Sequence, residues 1–210
     1  MREVCVKLHG YYSFNPVKVQ FALAELGLDY EHHLVKLHKQ EQFTEELKAL
    51  NPNQQVPILE DEGLVIWESN AILCHLGERE GRLWPTDPKH RAAAFQWLFY
   101  EASMVSVHAG PLWFMDVIGP RIALKRDEAR YARATKGTQK ALRILDDHFQ
   151  NNDWILGSQF TLVDCAYAPV LDGLNMSRFD VLQYPAITAW MKCIHERPAW
   201  ALRNGPEARP

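Results

Sequence analysis

The sequence holds no CxxC pair, no HExxH or other metal-ligand spacing, and no uninterrupted apolar stretch near the roughly 18 residues of a membrane span. A dithiol redox motif, a metal site and a membrane-spanning helix are therefore not expected. The four cysteines, Cys5, Cys74, Cys165 and Cys193, lie far apart. Such spacing argues against a disulfide framework and suits a reducing cytoplasm, where lone cysteines serve as small buried hydrophobes. Neither charge dominates: 23 Lys and Arg stand against 26 Asp and Glu, and a net charge of -3 gives no reason to expect nucleic acid or an anionic membrane as partner. The start, Met1-Arg2-Glu3-Val4, reads as no signal peptide, because a glutamate interrupts it and no long apolar run follows. Internal repeats, low-complexity tracts and a legible Ser-His-Asp order are also lacking.

What is present fits a soluble globular chain. Hydrophobic residues make up 47% and charged residues 23% of 210 positions, enough for one large domain or two small ones. Residues 1–80 alternate strand-like and helix-like segments. Val4 to Leu8 is β-prone, and His9 to Asn15 is a polar, aromatic loop. Pro16 then suits a helix's first turn, with Val17, Val19, Phe21, Leu23 and Leu26 apolar around much of the circumference and Gly27 as the stop. Asp29 to Leu37 is predicted as a strand, and Glu41 to Leu50 as a short helix or irregular turn. Pro57 to Glu60, then Asp61-Glu62-Gly63, then Leu64 to Trp67 reads as a tight hairpin. A third helix runs from Ser69 to near Gly81, giving the order βαβ-α-ββα. Residues 81–90 contain Trp84-Pro85-Thr86-Asp87-Pro88 and are taken as a linker. From 91 to 210 only helical periodicity recurs, as in Leu142, Leu145 and Phe149 or Ile187, Trp190, Met191 and Ile194. Basic residues between Arg121 and Arg143 are interleaved with acids at helical spacing and read as a solvated face.

Two local motifs carry a resemblance. Asn51-Pro52-Asn53-Gln54-Gln55-Val56-Pro57-Ile58-Leu59-Glu60-Asp61, continuing through Trp67-Glu68-Ser69-Asn70-Ala71-Ile72, is similar to the glutathione-binding stretch of the glutathione S-transferases. Gly157 to Asp164 is similar to that superfamily's helix-capping signature, and the likeness spans about Val4 to Trp200. The serine-type, bacterial-like classes related to phi, theta and nu are those it resembles. The resemblance implies an α/β plus all-α fold: a thioredoxin-like domain, then an all-helical one. It implies glutathione as co-substrate, no metal, a small hydrophobic electrophile as second substrate and a homodimer.

Site residues follow from the same resemblance. Val56-Pro57 matches the family's cis-proline position, where the Val56 backbone would pair with the ligand's cysteinyl part as an added strand. Glu68-Ser69 opens the third helix, whose N-terminus attracts an anion. Ser69 and its neighbouring amides would take a carboxylate and Glu68 an ammonium, although Ser69 would also serve as a plain helix cap. Gln55, His38 and Lys39 are further glutathione-binding candidates. A free thiol has a pKa of about 8.5, and lowering it by about two requires about 2.7 kcal/mol of thiolate stabilisation. Ser13 is the chosen thiolate donor, placed six residues before Val19 as in the serine-type classes, with Asn15 second and Tyr11 a rival. A bare capping role for Ser13 stays open. No cysteine occupies this loop, which argues against the cysteine-type members. Tyr12, Met104, His108, Trp113 and Phe114 are candidates for an electrophile pocket between the domains, or for helical core. In Thr161-Leu162-Val163-Asp164 a capping box is predicted, with Asp164 serving the fold and Phe160 and Cys165 as a hydrophobic staple.

The function expected is glutathione transfer, with peroxidase or disulfide-reductase activity drawing on the same thiolate. A non-enzymatic binding or interaction protein is the alternative, and a dehalogenase or isomerase a third.

Overall fold

In the computed structural model, which describes residues 6–203, the first strand, β1, spans Val6–Gly10. Val4 and Cys5 lie outside the described residues. His9 and Gly10, expected in a loop, belong to this strand because it is the inner one, pairing parallel with β2 (Glu31–Leu34) and antiparallel with β3 (Ile58–Asp61). β4 (Leu64–Trp67) completes the order β2-β1-β3-β4. The β3–β4 turn has Glu62 at φ 49° and Gly63 at φ 84°, two successive left-handed residues that match the twist of a tight hairpin. β2 is shorter than predicted. After Leu34, the Val35 amide donates to the Gly10 carbonyl at 2.9 Å, and the chain turns into 3-10 geometry at Leu37–Lys39 and Glu41–Phe43.

Helix α1 (Phe14–Leu26) starts two residues before Pro16, so Asn15 sits in its first turn and not in the loop. It ends on Gly27 at φ 67°, a conformation that costs glycine no steric strain. Val19, Phe21, Ala22 and Leu23 are fully buried, as the apolar circumference requires. α2 (Glu45–Leu50) is capped by Thr44. Its Leu47 forms a buried cluster with Val35 and Ile58, against which Leu37, Leu50 and Val56 pack. α3 (Ser69–Glu80) is tied to β3 through Asp61, whose Oδ2 lies 2.6 Å from His75 Nε2 and accepts from Arg79 Nη1 at 2.5 Å.

The chain divides into two compact units. Residues 6–84, together with 197–203, form one; Pro85–Glu196 form the other. The second is helical. α4 (Pro88–Tyr100) begins inside the segment read as a linker, because Asp87 caps it by accepting from the Lys89 and His90 amides at 3.1 and 3.0 Å. It runs into a π turn at Glu101–Ser106, then α5 (Val107–Trp113) and a second π turn at Phe114–Ile118. α6 (Glu128–Phe149), α7 (Leu162–Asn175) and α8 (Pro185–His195) follow. α7 is the central element: Leu162 to Leu171 are all buried, and the Tyr167 hydroxyl donates to the Trp97 carbonyl at 2.7 Å. Around it Phe149 stacks on Trp190 with centroids 5.0 Å apart. Cys165 and Phe160 are buried here.

Candidate functional site

Three elements of the first unit carry the sequence-predicted glutathione and thiolate-donor residues other than His38 and Lys39. The first is the junction of β1 and α1. Gly10 is needed there by close approach: a Cβ on it would fall 3.2 Å from Pro16 Cβ and 3.3 Å from His32 Nε2. Ser13 is the residue preceding α1, half-buried, with extended backbone (φ -129°, ψ 165°), and its side chain makes no capping hydrogen bond. A capping serine accepts from the amide two or three positions on; the third position here, Pro16, has no N–H, which leaves Asn15 as the one amide in capping range, and the hydroxyl does not engage it. The Ser13 carbonyl still closes the first turn by accepting from the Val17 amide at 3.2 Å. The hydroxyl is thus placed at a helix N-terminus without commitment to it. Asn15 is exposed in the first turn, and the Tyr11 and Tyr12 rings lie 5.7 Å apart, Tyr12 on the surface.

The second element is the segment before β3. Asn51, 3% exposed, organises it: its Nδ2 donates to the Gln55 carbonyl at 2.9 Å, and its Oδ1 accepts from the Asn53 amide at 3.0 Å. The Val56–Pro57 bond is cis. The β3 ladders begin at Ile58, leaving Val56 outside them. Gln55 is exposed and Val56 half-buried.

The third is the start of α3. Ser69 is buried as the first helical residue, with exposed Glu68 before it. Glu68 has φ 74° and ψ 111°, a backbone state that a residue with a side chain adopts only under constraint. Its carbonyl accepts from the Ile72 amide at 3.0 Å, so the strained residue is built into the helix's first turn. His38 and Lys39 sit apart from these motifs in sequence, exposed on the 3-10 turn that follows the Val35–Gly10 bond.

Behind this surface the sheet carries a buried histidine. His9 Nε2 lies 2.6 Å from Glu60 Oε1, and its ring is 4.9 Å from that of His33. Burial depresses the His9 pKa, outweighing the Glu60 hydrogen bond that raises it, which favours the neutral imidazole. Its cross-strand partner is Ile58, next to Pro57, which makes it a support of the segment and not part of its surface.

The acceptor-side candidates other than Tyr12 belong to the helical unit. Met104 is half-buried in the first π turn and Trp113 half-buried at the end of α5, while Phe114 is exposed. His108 is packed against Gly137 of α6 so closely that a Cβ there would lie 2.4 Å from its Cγ. Asp164 closes the predicted capping box: Oδ2 accepts from the Thr161 amide and hydroxyl at 2.9 and 3.1 Å. Oδ1 accepts from the Ile155 amide at 2.9 Å and from Trp190 Nε1 at 3.3 Å. Gly10, Pro16 and Asn51 were missed as site-building residues in the sequence; the prolyl position three after Ser13 was the readable signal among them. Among the described residues no group of three or more His, Cys, Asp or Glu could hold a metal ion, and no helix is long and apolar enough to cross a membrane.

The hydroxyl at one helix N-terminus, the second helix N-terminus opened by a strained acidic residue, and the cis-prolyl segment all lie in a thioredoxin-like domain. The family models for the glutathione S-transferase N-terminal domain and C-terminal domain match residues 4–78 and 94–198, and the chain belongs to this family. Glutathione S-transferase GstB of Escherichia coli is 32% identical over 192 residues, 89% of this chain and 91% of its own. The disulfide-bond oxidoreductase YfcG of the same organism is 29% identical over 195 residues, 88% of this chain and 87% of its own. A glutathione transferase family member from Pseudomonas fluorescens, solved with two glutathione bound, superposes with a TM-score of 0.87 at 26% identity, covering 95% of this chain and 92% of that one.

Proposed function

We propose that this protein is a serine-type glutathione transferase in which the Ser13 hydroxyl donates to the sulfur of bound glutathione and holds it as thiolate. The observation that carries this reading is the uncommitted Ser13 side chain at the start of α1. A hydroxyl donor and the positive end of the helix both favour the anionic sulfur, and together they are of the size that the thiol shift of about 2.7 kcal/mol requires. Ser69 and the first-turn amides of α3 receive the γ-glutamyl carboxylate, Glu68 the ammonium, and the Val56 backbone the cysteinyl part, with Gln55, His38 and Lys39 at the remaining polar groups. Asn15 is the second donor. The thiolate sulfur forms a bond to an electrophilic carbon while the leaving group departs with its electron pair. Tyr12, Met104, His108 and Trp113 are proposed to meet the apolar electrophile, each checked by its own alanine variant. Residues 1–80 supply glutathione binding and 91–210 the helical part.

Two observations favour a second reaction of the same thiolate. YfcG, a disulfide-bond oxidoreductase, is among the relatives, and a solved structure of similar fold holds two glutathione molecules. The thiolate would attack one sulfur of a disulfide, releasing the other as thiolate, and a second glutathione would then resolve the mixed disulfide. The deciding experiment follows glutathione consumption with an aryl halide, a hydroperoxide and a mixed disulfide, using the unmodified protein and Ser13→Ala. Turnover with at least one substrate that falls in Ser13→Ala supports the reading; no glutathione binding at millimolar concentration overturns it. A homodimer and a cytoplasmic location belong to the same proposal, checked by light scattering and by cell fractionation.

A further inference from the structure

α1 carries Ser13 at its N-terminal end, and its own last turn holds no basic residue. Two arginines from distant positions meet the C-terminal end instead. Arg82 Nη1 donates to the Leu26 carbonyl at 3.2 Å. Arg197 grips Glu25 with both arms of its guanidinium, Nε to Oε1 at 2.5 Å and Nη2 to Oε2 at 2.7 Å. The Glu25 side chain is only 8% exposed. From Arg197 the chain enters a 3-10 turn, Pro198–Leu202, that sets Trp200 edge-on against Phe21, centroids 5.1 Å apart at 84°. Arg203 lies over that ring at 4.2 Å and donates to the Trp200 carbonyl at 2.8 Å. Phe21 and Trp200 are both buried.

We infer that Arg197 and Trp200 are positioning residues for thiolate activation, forming a strap that fixes the direction of α1 and so the place of the Ser13 hydroxyl. The inference rests on the Ser13 reading above. A helix transmits displacement along its length, and a hydrogen bond weakens steeply with misalignment. The strap is directional by chemistry: a two-armed arginine–carboxylate pair fixes orientation as well as distance, which a lysine cannot do. The edge-on aromatic contact adds a second fixed point one turn earlier on the same helix.

The test measures the thiol pKa of enzyme-bound glutathione by ultraviolet thiolate absorbance, alongside kcat and the glutathione KM. Arg197→Gln is expected to raise that pKa and lower kcat about tenfold, with KM changed less than about twofold. Arg197→Lys retains charge at a partly exposed site and keeps the fold; it should shift the pKa in the same direction by less. Added to Ser13→Ala, Arg197→Gln should cause no further rise, because both act on one interaction. If Ser13→Ala raises the pKa and neither Arg197 variant does, the strap is only structural and the inference is overturned. If Ser13→Ala itself leaves the pKa unchanged, the Ser13 reading fails and the inference with it.

Discussion

Pro16 occupies the third position of the helix that Ser13 precedes, and by lacking an N–H it removes one of the two amides, those of positions 15 and 16, that a capping hydroxyl would engage. Pro16→Ala restores that donor. A capping bond is worth about 1 kcal/mol, so drawing the hydroxyl onto the backbone should lower kcat about fivefold. Stopped-flow or steady-state kinetics with the best substrate checks this, and Ser13→Ala should remove the sensitivity to position 16.

Glu68 sits at φ 74°, a conformation that glycine adopts without strain. Glu68→Gly is predicted to stabilise the fold by about 0.5–1 kcal/mol if relief of strain outweighs glycine's extra chain entropy. It should at the same time raise the glutathione KM, since the proposed ammonium partner is gone. Thermal unfolding and glutathione titration on one variant read both effects; a gain in stability with KM unchanged would mean that the strain serves no ligand.

These features were unequally legible in the sequence. The β3–β4 hairpin announced itself through Asp61-Glu62-Gly63, and the cap at Thr161 through residue type, because each depends on a few neighbouring positions, whereas the cap at Asp87 was read as linker. The α1 start was read at Pro16, two residues late, although the same proline could have told that Ser13 lacks one of the two amides a cap engages. Nothing local marks Arg197 as the partner of Glu25, or Trp200 as that of Phe21. Those pairs span more than 170 residues and exist only once residues 197–203 join the first unit. The π turns at Glu101–Ser106 and Phe114–Ile118 are likewise absent from the helical periodicity, which they interrupt by a single residue.

Gly137 admits the His108 ring at a distance no Cβ tolerates. Gly137→Ala should destabilise the helical unit by about 1–2 kcal/mol, the overpacking exceeding the better helix propensity of alanine. Urea titration of Gly137→Ala, and of the same change combined with His108→Ala, checks this; the second substitution should recover most of the loss.

Asp164 receives two donors on each carboxylate oxygen while fully buried. Burial, opposed by those hydrogen bonds, raises its pKa from the usual 3.8 to about 6. The folded chain therefore holds this proton more tightly than the unfolded chain. The group's contribution to stability is complete below about 3.8 and is lost as pH rises through about 6. Asp164→Asn should flatten that part of the stability curve and cost about 2–4 kcal/mol, because an amide nitrogen cannot accept from the Thr161 or Ile155 side. Chemical denaturation at several pH values measures both.

The most direct measurement of the central claim is the ultraviolet pH titration of glutathione bound to the unmodified protein and to Ser13→Ala. Ser13 donation predicts a bound thiol pKa about two below that of free glutathione, returning most of the way in Ser13→Ala while glutathione remains bound. A bound thiol that titrates identically in the two proteins would contradict it.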